Sequence, residues 1–403
     1  MGKSVVKERQ FVCIAGKNDI AVNVMEYLIK NKNDYDIGVV CNKSEKGENS
    51  FQKSLRWFAR KYGIKEFELE DLYDIDDLVF LSMEFDRLIK PDKFKNARLY
   101  NIHFSLLPKY KGMYTSALPL LNGEHRSGVT LHRIDAGIDT GDIIDQQDFS
   151  IEGMDCREVY LACIKHGIEV VLRNVDMILA GEEKAYPQSC IGSTYYTKKC
   201  IDFGNIVIDL NQTAEGIARQ IRAFNFREYQ MPVVNDHEII DYAFTDIRSK
   251  QKAGTIAHEG KDACIVCTVD YDIILYYDRM NELLENCRCG NLEAVREICA
   301  VKKHINSADE HGWTPLIVAT YNNQKEVVEY LISQGADVHA VNNNGTTLLM
   351  YAKEAYRRTN DGSIFIQLLS LGVNVDRVDY YDKTLKDYCM EEGIQRIASY
   401  DIY

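Results

Sequence analysis

The sequence predicts an α/β chain: a mainly parallel sheet with helices on both faces, then a small β-rich domain, then an all-α repeat region. Three observations carry this expectation. From Gln10 onward, short apolar runs alternate with helix-like stretches whose apolar residues recur every three or four positions. That alternation favours a parallel sheet crossed by helices, because each layer buries the apolar face of the other. After Tyr186-Pro187 the texture shifts to a loop rich in Gly, Ser, Thr and Tyr, and then to short strand-like runs. Near residue 279 a third texture begins, in which the sequence repeats itself at an offset of 33 residues.

At 403 residues, 46% hydrophobic and 27% charged, the chain is long enough for two or three buried cores and too apolar for disorder. Its 48 Lys and Arg against 61 Asp and Glu leave a formal charge of −13. Such a chain repels a phosphate backbone, so nucleic acid is not an expected partner. The 12 cysteines are scattered through apolar segments of a chain too long to need disulfide staples, and are expected to be reduced. The start, MGKSVVKERQFVCIAG, lacks the apolar core and small-residue cleavage site of a signal peptide. No run reaches the roughly 18–20 apolar residues that cross a bilayer. A soluble, cytoplasmic protein without a membrane partner is expected.

Taken in order, QFVCIAG reads as a strand, DIAVNVMEYLIK as a helix, YDIGVVC as a strand, and SFQKSLRWFARKYG as a helix with Trp57 on its core face. LVFLSM, ARLYNI and GVTLHRI supply further strands, and residues 155–180 a long helix, completing a first domain expected over 1–185. A helix near 213–221 and strands in EIIDYAF, GTIAHEG, ACIVCTV and YDIILYY make a second, over 186–278. In the third, over 279–403, DEHGWTPLIVA aligns with NNNGTTLLMYA, superposing Gly312 on Gly345, Thr314 on Thr347, Leu316 on Leu349 and Ala319 on Ala352. GADV at 335–338 recurs as GVNV at 372–375, after a small insertion around 357–364. A period of 33 with G-x-T-P-L and a later G-A-D-V resembles the ankyrin repeat, with room for about three units.

The densest polar constellation lies in residues 101–146. Asn101 and His103 follow the strand ARLY, and alternate strand residues project to one side, so an amide and an imidazole face one spot at a strand end. Asp139 sits in IDAGIDTGD, where Gly137 and Gly141 let the chain turn sharply and present a carboxylate. Amide, imidazole and carboxylate form an acyl-transfer set: a donor for an oxyanion, a proton carrier, and a group that orients the carrier.

NIHFSLLPKYKG followed by GVTLHRIDAGIDTGDII resembles the signature of the folate-dependent formyltransferases, a likeness extending over about residues 10–230. The resemblance implies a Rossmann-like catalytic domain, 10-formyltetrahydrofolate as formyl donor, no metal, and a catalytic triad of Asn101, His103 and Asp139. It also implies a pteridine slot bordered by Met83, Glu84, Phe85 and Asp86 on one side and by Ile134, Asp135 and Gly137 on the other, with contacts mostly from main chain.

The acceptor is narrowed by what surrounds this core. Acidic charge and the repeats disfavour tRNA. ARQIRAFNFREYQMP, at 218–232, resembles the corresponding segment of the sugar-nucleotide N-formyltransferases, and members with appended ankyrin repeats are similar to enzymes acting on dTDP-3-amino-3,6-dideoxyhexoses for lipopolysaccharide O-antigens. The expected substrate is therefore a dTDP-linked amino sugar, most simply the 3-amino-3,6-dideoxy-D-glucose or its galacto epimer. Asn225, Phe226 and Tyr229 supply amide and aromatic groups suited to a pyrimidine. Lys17 and Asn18, between first strand and first helix, offer backbone amides at a helix N-terminus to an anionic substrate, or form no more than a strand-to-helix turn with an Asn or Asp cap. A homodimer is implied by the resemblance alone.

Plainer readings stand beside these. His132, in GVTLHRI, and His125, in a charged turn, read as structural or solvated. Cys264-x-x-Cys267 and Cys287-x-Cys289 lack zinc-ribbon spacing and read as structural thiols. Gly16 to Asp19 lacks the dinucleotide G-x-G-x-x-G, so NAD is not supported. Trp313, at the repeat hairpin where Thr346 stands in the next unit, reads either as packed on a neighbouring domain or as a platform for a second ligand or a protein. Two other functions remain open: formyl transfer to a 4-amino sugar nucleotide, and an ankyrin adaptor carrying an inactive folate-binding domain.

Overall fold

The computed structural model describes residues 9–31 and 35–402. The chain forms two compact units, Met1–Ile206 with Arg222–Gln230, and Val207–Ile221 with Met231–Tyr403.

The first unit begins β1 (Gln10–Gly16), α1 (Asn18–Lys30), β2 (Tyr35–Cys41), α2 (Leu55–Lys61), β3 (Lys65–Glu66), β4 (Leu78–Met83) and β5 (Ala97–His103). After a two-residue β6 (Lys111–Gly112) and a one-turn α3 (Leu118–Leu121) come β7 (Arg126–Arg133), β8 (Ile143–Ser150), α4 (Cys156–Ala180) and β9 (Tyr195–Tyr196), which pairs with β6. The large sheet has the order β3-β2-β1-β4-β5-β7-β8. Strands β1 to β5 run parallel, while β7 is antiparallel to β5 and β8 to β7. LVFLSM in β4 is buried at all six positions, as a central strand covered on both faces must be.

Two features aim the sheet at a ligand. The strand order turns at β1, whose neighbours are β2 on one side and β4 on the other, and such a switch point leaves a crevice beyond the strand ends. Gly16 ends β1 there at φ +133°, and a Cβ would stand 1.9 Å from the Met83 carbonyl oxygen, so only glycine lets β1 and β4 meet. Helix α4 is fixed at both ends, by a reciprocal Asp155–Glu158 cap and by Gly181 in the left-handed conformation. In α2 it is Leu55, Phe58 and Ala59 that are buried. The expectation for Trp57 is thus corrected: its ring is half-buried, edge-on to Phe58 with a 4.7 Å centroid separation, and Lys61 lies over it. Ser54 caps this helix by accepting the Trp57 N–H, which sets the rotation that turns Phe58 inward.

Helix α5 (Ala214–Phe224) precedes the second unit's sheet: β10 (Val233–Val234), β11 (His237–Phe244), β12 (Ile256–Glu259), β13 (Ala263–Val266) and β14 (Ile273–Tyr277). These are antiparallel in the order β10-β11-β14-β13-β12, and IILYY in β14 alternates buried and half-buried, as a sheet with one covered face requires. The repeats follow as α6 (Met280–Cys289), α7 (Leu292–Ile298), α8 (Pro315–Tyr321), α9 (Lys325–Ser333), α10 (Leu348–Thr359), α11 (Ser363–Ser370) and α12 (Leu385–Glu391). The repeated threonines are helix caps: Thr314, Thr347 and Thr384 accept the N–H groups of Ile317, Met350 and Asp387. The insertion is absorbed by lengthening α10 to 12 residues against 7 in α8, until Asn360 stops it in the left-handed conformation.

Candidate active site

Strand register assembles the site. Ser82 in β4 pairs with Asn101 in β5, and Asn101 with His132 in β7, so three polar side chains line up across adjacent strands on one face. His103 follows two residues after Asn101 on that face. Asp139 reaches them from the loop between β7 and β8, at φ +53°, a conformation that Asp tolerates better than most residues. A Cβ on Gly141 would lie 1.9 Å from the Arg133 carbonyl oxygen, so the loop's close return needs glycine. Gln188 donates its amide to the carbonyls of Asp139 and Gly141, both at 2.8 Å, and pins the loop.

The three residues expected to work together do converge. His103 Nδ1 stands 3.5 Å from Asp139 Oδ2, and the Gly112 N–H donates to that same oxygen at 2.8 Å. His103 Nε2 lies 2.8 Å from the Tyr110 carbonyl oxygen. A carbonyl only accepts, so Nε2 carries the proton and Nδ1 of the neutral ring is bare towards Asp139. Asn101 sits in a second chain of contacts: Ser82 Oγ donates to its Oδ1 at 2.8 Å, and its Nδ2 is 3.1 Å from His132 Nε2. His132 Nε2 is also 3.5 Å from Asp139 Oδ1. His132, read as structural or solvated, is buried and hydrogen-bonded beside Asn101, which excludes only the solvated alternative.

A second cluster gathers where β1 and β4 end. Glu84 turns out of β4 at φ +54°, and its carboxylate accepts from Asn18 Nδ2 at 2.6 Å and from the Tyr160 hydroxyl, with Lys17 Nζ at 3.9 Å. Asn18 is fully buried, its Oδ1 receiving the Ile20 N–H, so its side chain anchors Glu84. Lys17 Nζ lies 3.5 Å from the Tyr229 hydroxyl. Around it stand Phe51, Tyr160, Phe226 and Tyr229, with Phe226 and Tyr229 centroids 4.6 Å apart. The Asn225 carbonyl accepts the Arg157 N–H and Glu228 pairs with the Arg157 guanidinium, holding this segment on α4. Lys17, Phe226 and Tyr229 thus lie in one cluster.

The two borders of the expected pteridine slot separate into wall and frame. Phe85 and Ile134 pack on the apolar cluster of Phe80, Leu99 and Ile89. Met83 is buried, and Glu84 faces the other cluster. Asp86 accepts the Lys43 N–H and so ties the loop after β4 to the one after β2, whereas Asp135 accepts from the Gly137 N–H and from Thr140 Oγ1 and closes its own loop. An apolar wall framed by ordered main chain fits a flat heteroaromatic ring with polar edges. Trp313, in the other unit, is half-buried between Tyr321 and Tyr351, at 5.4 and 5.3 Å.

Comparison with known proteins bears on this geometry. Residues 9–170 match the formyl transferase family and residues 283–379 match ankyrin repeats in three copies. A sugar 3N-formyl transferase, WlaRD, whose structure contains dTDP and 5-N-formyl-THF, is 40% identical, with a TM-score of 0.62 over 68% of this chain and 99% of that one. The N-formyltransferase from Helicobacter canadensis, in complex with folinic acid and dTDP-3-aminofucose, is 39% identical, with a TM-score of 0.61 over 66% of this chain and 99% of that one. This chain belongs to the formyl transferase family. Methionyl-tRNA formyltransferase from Fervidobacterium nodosum is 29% identical over 259 residues, 60% of this chain and 80% of that protein.

In this formyltransferase the electrostatics of the first cluster suit proton transfer. Burial pushes the Asp139 carboxyl up, but the His103 ring, His132 and the Gly112 N–H outweigh it and hold the group at about 2. Burial lowers the His103 imidazole, against the pull of Asp139. Near neutral pH the pair is a neutral base beside an ionised acid. In the second cluster, burial pulls the Lys17 ammonium down, yet Glu84 and Tyr229 overcome this and raise it. Lys17 therefore stays charged. The sequence reading did not single out Ser82, Gln188 or Tyr160, and it set His132 aside; of the four only His132, in GVTLHRI, carried a signal, since cross-strand pairing with Asn101 follows if the two strands are neighbours.

Proposed function

We propose that this enzyme transfers a formyl group from 10-formyltetrahydrofolate to the C3 amine of a dTDP-3-amino-3,6-dideoxyhexose, of gluco or galacto configuration. The observation that carries the reading is identity of about 40% to two sugar-nucleotide formyltransferases spanning 99% of each, with Asn101, His103 and Asp139 drawn together at the strand ends. The division into a catalytic domain over 1–185, an extension over 186–278 and repeats over 279–403 belongs to the same reading, as do a cytoplasmic homodimer and a product destined for lipopolysaccharide O-antigen.

Each residue's task follows from its surroundings. Lys17, Phe226 and Tyr229 hold the nucleotide, by charge and by stacking on the pyrimidine. Phe85 and Ile134 wall the pteridine. The neutral amine attacks the formyl carbon, the C–N bond forms, and the bond from carbon to N10 of the folate breaks. Asn101 donates to the formyl oxygen as charge develops there. His103 accepts the amine proton and returns it to N10, and Asp139 stabilises the imidazolium in between. Because Nε2 already carries hydrogen, the incoming proton lands on Nδ1, so the amine must approach the ring from the Asp139 side.

The formal charge of −13 weighs against tRNA as acceptor. A formyl-transfer assay with 10-formyltetrahydrofolate against dTDP- and UDP-amino sugars, substituted at C3 or C4 and read by product mass, tests the proposal. Formylation of dTDP-3-amino sugars ahead of the rest is expected. Preference for a 4-amino sugar would move the amine, and no product with any sugar would favour the adaptor reading.

A further inference from the structure

We propose that His132 is a positioning residue for formyl transfer, which acts by fixing the direction of the Asn101 carboxamide. The inference rests on the formyltransferase reading and on hydrogen-bond bookkeeping. His132 Nδ1 lies 2.8 Å from the carbonyl oxygen of Arg133, which cannot donate, so Nδ1 carries the ring's hydrogen. Nε2 faces the Asn101 Nδ2 at 3.1 Å, and an amide nitrogen only donates, so in this contact Nε2 accepts and Asn101 presents its NH2 group rather than its oxygen. The amide oxygen is thereby turned to Ser82, whose hydroxyl donates to it at 2.8 Å.

This orientation has a chemical consequence. One Nδ2 hydrogen is committed to His132 and the oxygen to Ser82, which leaves the second Nδ2 hydrogen for the substrate. With the carboxamide rotated by half a turn, an oxygen would stand where a donor is needed and would repel the developing oxyanion. The strand pairs Ser82–Asn101 and Asn101–His132 hold the three groups in line, so the choice is built into the sheet and made before substrate arrives. His132 is 2% exposed and touches the reacting atoms only through Asn101 and Asp139.

The test compares His132→Leu, His132→Gln and Ser82→Ala in the full chain, alone and in an Asn101→Ala background. Steady-state kinetics with 10-formyltetrahydrofolate and the dTDP-3-amino sugar are measured, with melting temperature to check folding. His132→Leu removes the acceptor and is expected to lower kcat about 10–100-fold with KM for both substrates within about twofold. His132→Gln, whose Oε1 can accept in the place of Nε2, is expected to restore most of that loss. In the Asn101→Ala background, His132→Leu is expected to cost far less than in the parent, because the group it positions is gone and only its contact with Asp139 is left to lose. A purely structural role would lower the melting temperature of both His132 variants and add to the effect of Asn101→Ala. A kcat within twofold of the parent for His132→Leu, or an additive loss, overturns the proposal. If His132→Leu does not fold, His132→Gln and Ser82→Ala decide it by the same cycle. Parent enzyme that formylates no amino sugar would instead overturn the proposed function, so the two failures are distinguishable.

Discussion

Replacing Asp139 by Asn isolates charge from shape. Asn tolerates the left-handed backbone at φ +53° and can still accept the Gly112 N–H, so the loop should survive. What disappears is the negative charge 3.5 Å from His103 Nδ1. Two estimates bracket its value. An opposite unit charge at 3.5 Å in a medium of effective dielectric about 20 is worth about 4–5 kcal/mol. The Asp139 carboxyl, held at about 2 instead of 3.8, reports a net preference of about 2.5 kcal/mol, which already includes its burial cost. Applied in full to an imidazolium in the transition state, these limits correspond to losses of about 60-fold and about 3,000-fold in kcat. Single-turnover formyl transfer, followed by product mass, measures the chemical step; calorimetric titration of dTDP should show unchanged nucleotide affinity. An Asp139→Asn enzyme with kcat within fivefold of the parent would refute the assignment of Asp139 as the partner of an imidazolium.

Burial lowers the His103 imidazole, so the acid limb of kcat at saturating substrate should lie below 6.5 and move lower still in Asp139→Asn, where the opposing pull is lost; a limb at or above 6.5 contradicts this. Asp139 has a depressed folded value, so its ionisation stabilises the fold above about pH 4 and that contribution fades as pH falls towards 2; the stability gap between parent and Asp139→Asn in urea titrations should close over that interval. Gly16→Ala forces a Cβ to 1.9 Å from the Met83 carbonyl at a positive φ, and should cost at least about 2–3 kcal/mol in urea unfolding. Tyr229→Ala should raise KM for the dTDP-sugar about tenfold with little change in kcat, the reverse of the Asp139 pattern. Trp313→Ala should destabilise the repeats by about 1–3 kcal/mol through loss of its contacts with Tyr321 and Tyr351, read by calorimetry; an unchanged ligand stoichiometry would remove Trp313 as a ligand platform.

The repeats were legible because a period cannot arise locally by chance, and the conserved offset of Thr314 and Thr347 turns out to mark helix caps. The parallel sheet was legible because β4 is apolar at nearly every position, which only a strand covered on both faces explains. Trp57 was misread because a helix of seven residues presents too few turns to fix its phase. A one-residue rotation exchanges Trp57 with Phe58, and the Ser54 cap that decides it is a hydrogen bond, not a pattern.

The site divides along the same line. Asn101, His103 and Asp139 could be picked out because their chemistry is rare and their spacing follows strand alternation. Ser82 could not, and the signal at His132 stayed conditional, because neither residue type nor sequence distance says which strands are neighbours; the order β4-β5-β7 does. Even with neighbours known, a histidine beside an asparagine is ambiguous, since either ring nitrogen can donate or accept. The Arg133 carbonyl resolves it by taking the Nδ1 hydrogen, and only then does the Asn101 amide have a direction. Function in this site therefore depends on hydrogen-bond polarity passed across three strands, a property the fold creates from residues that individually look structural.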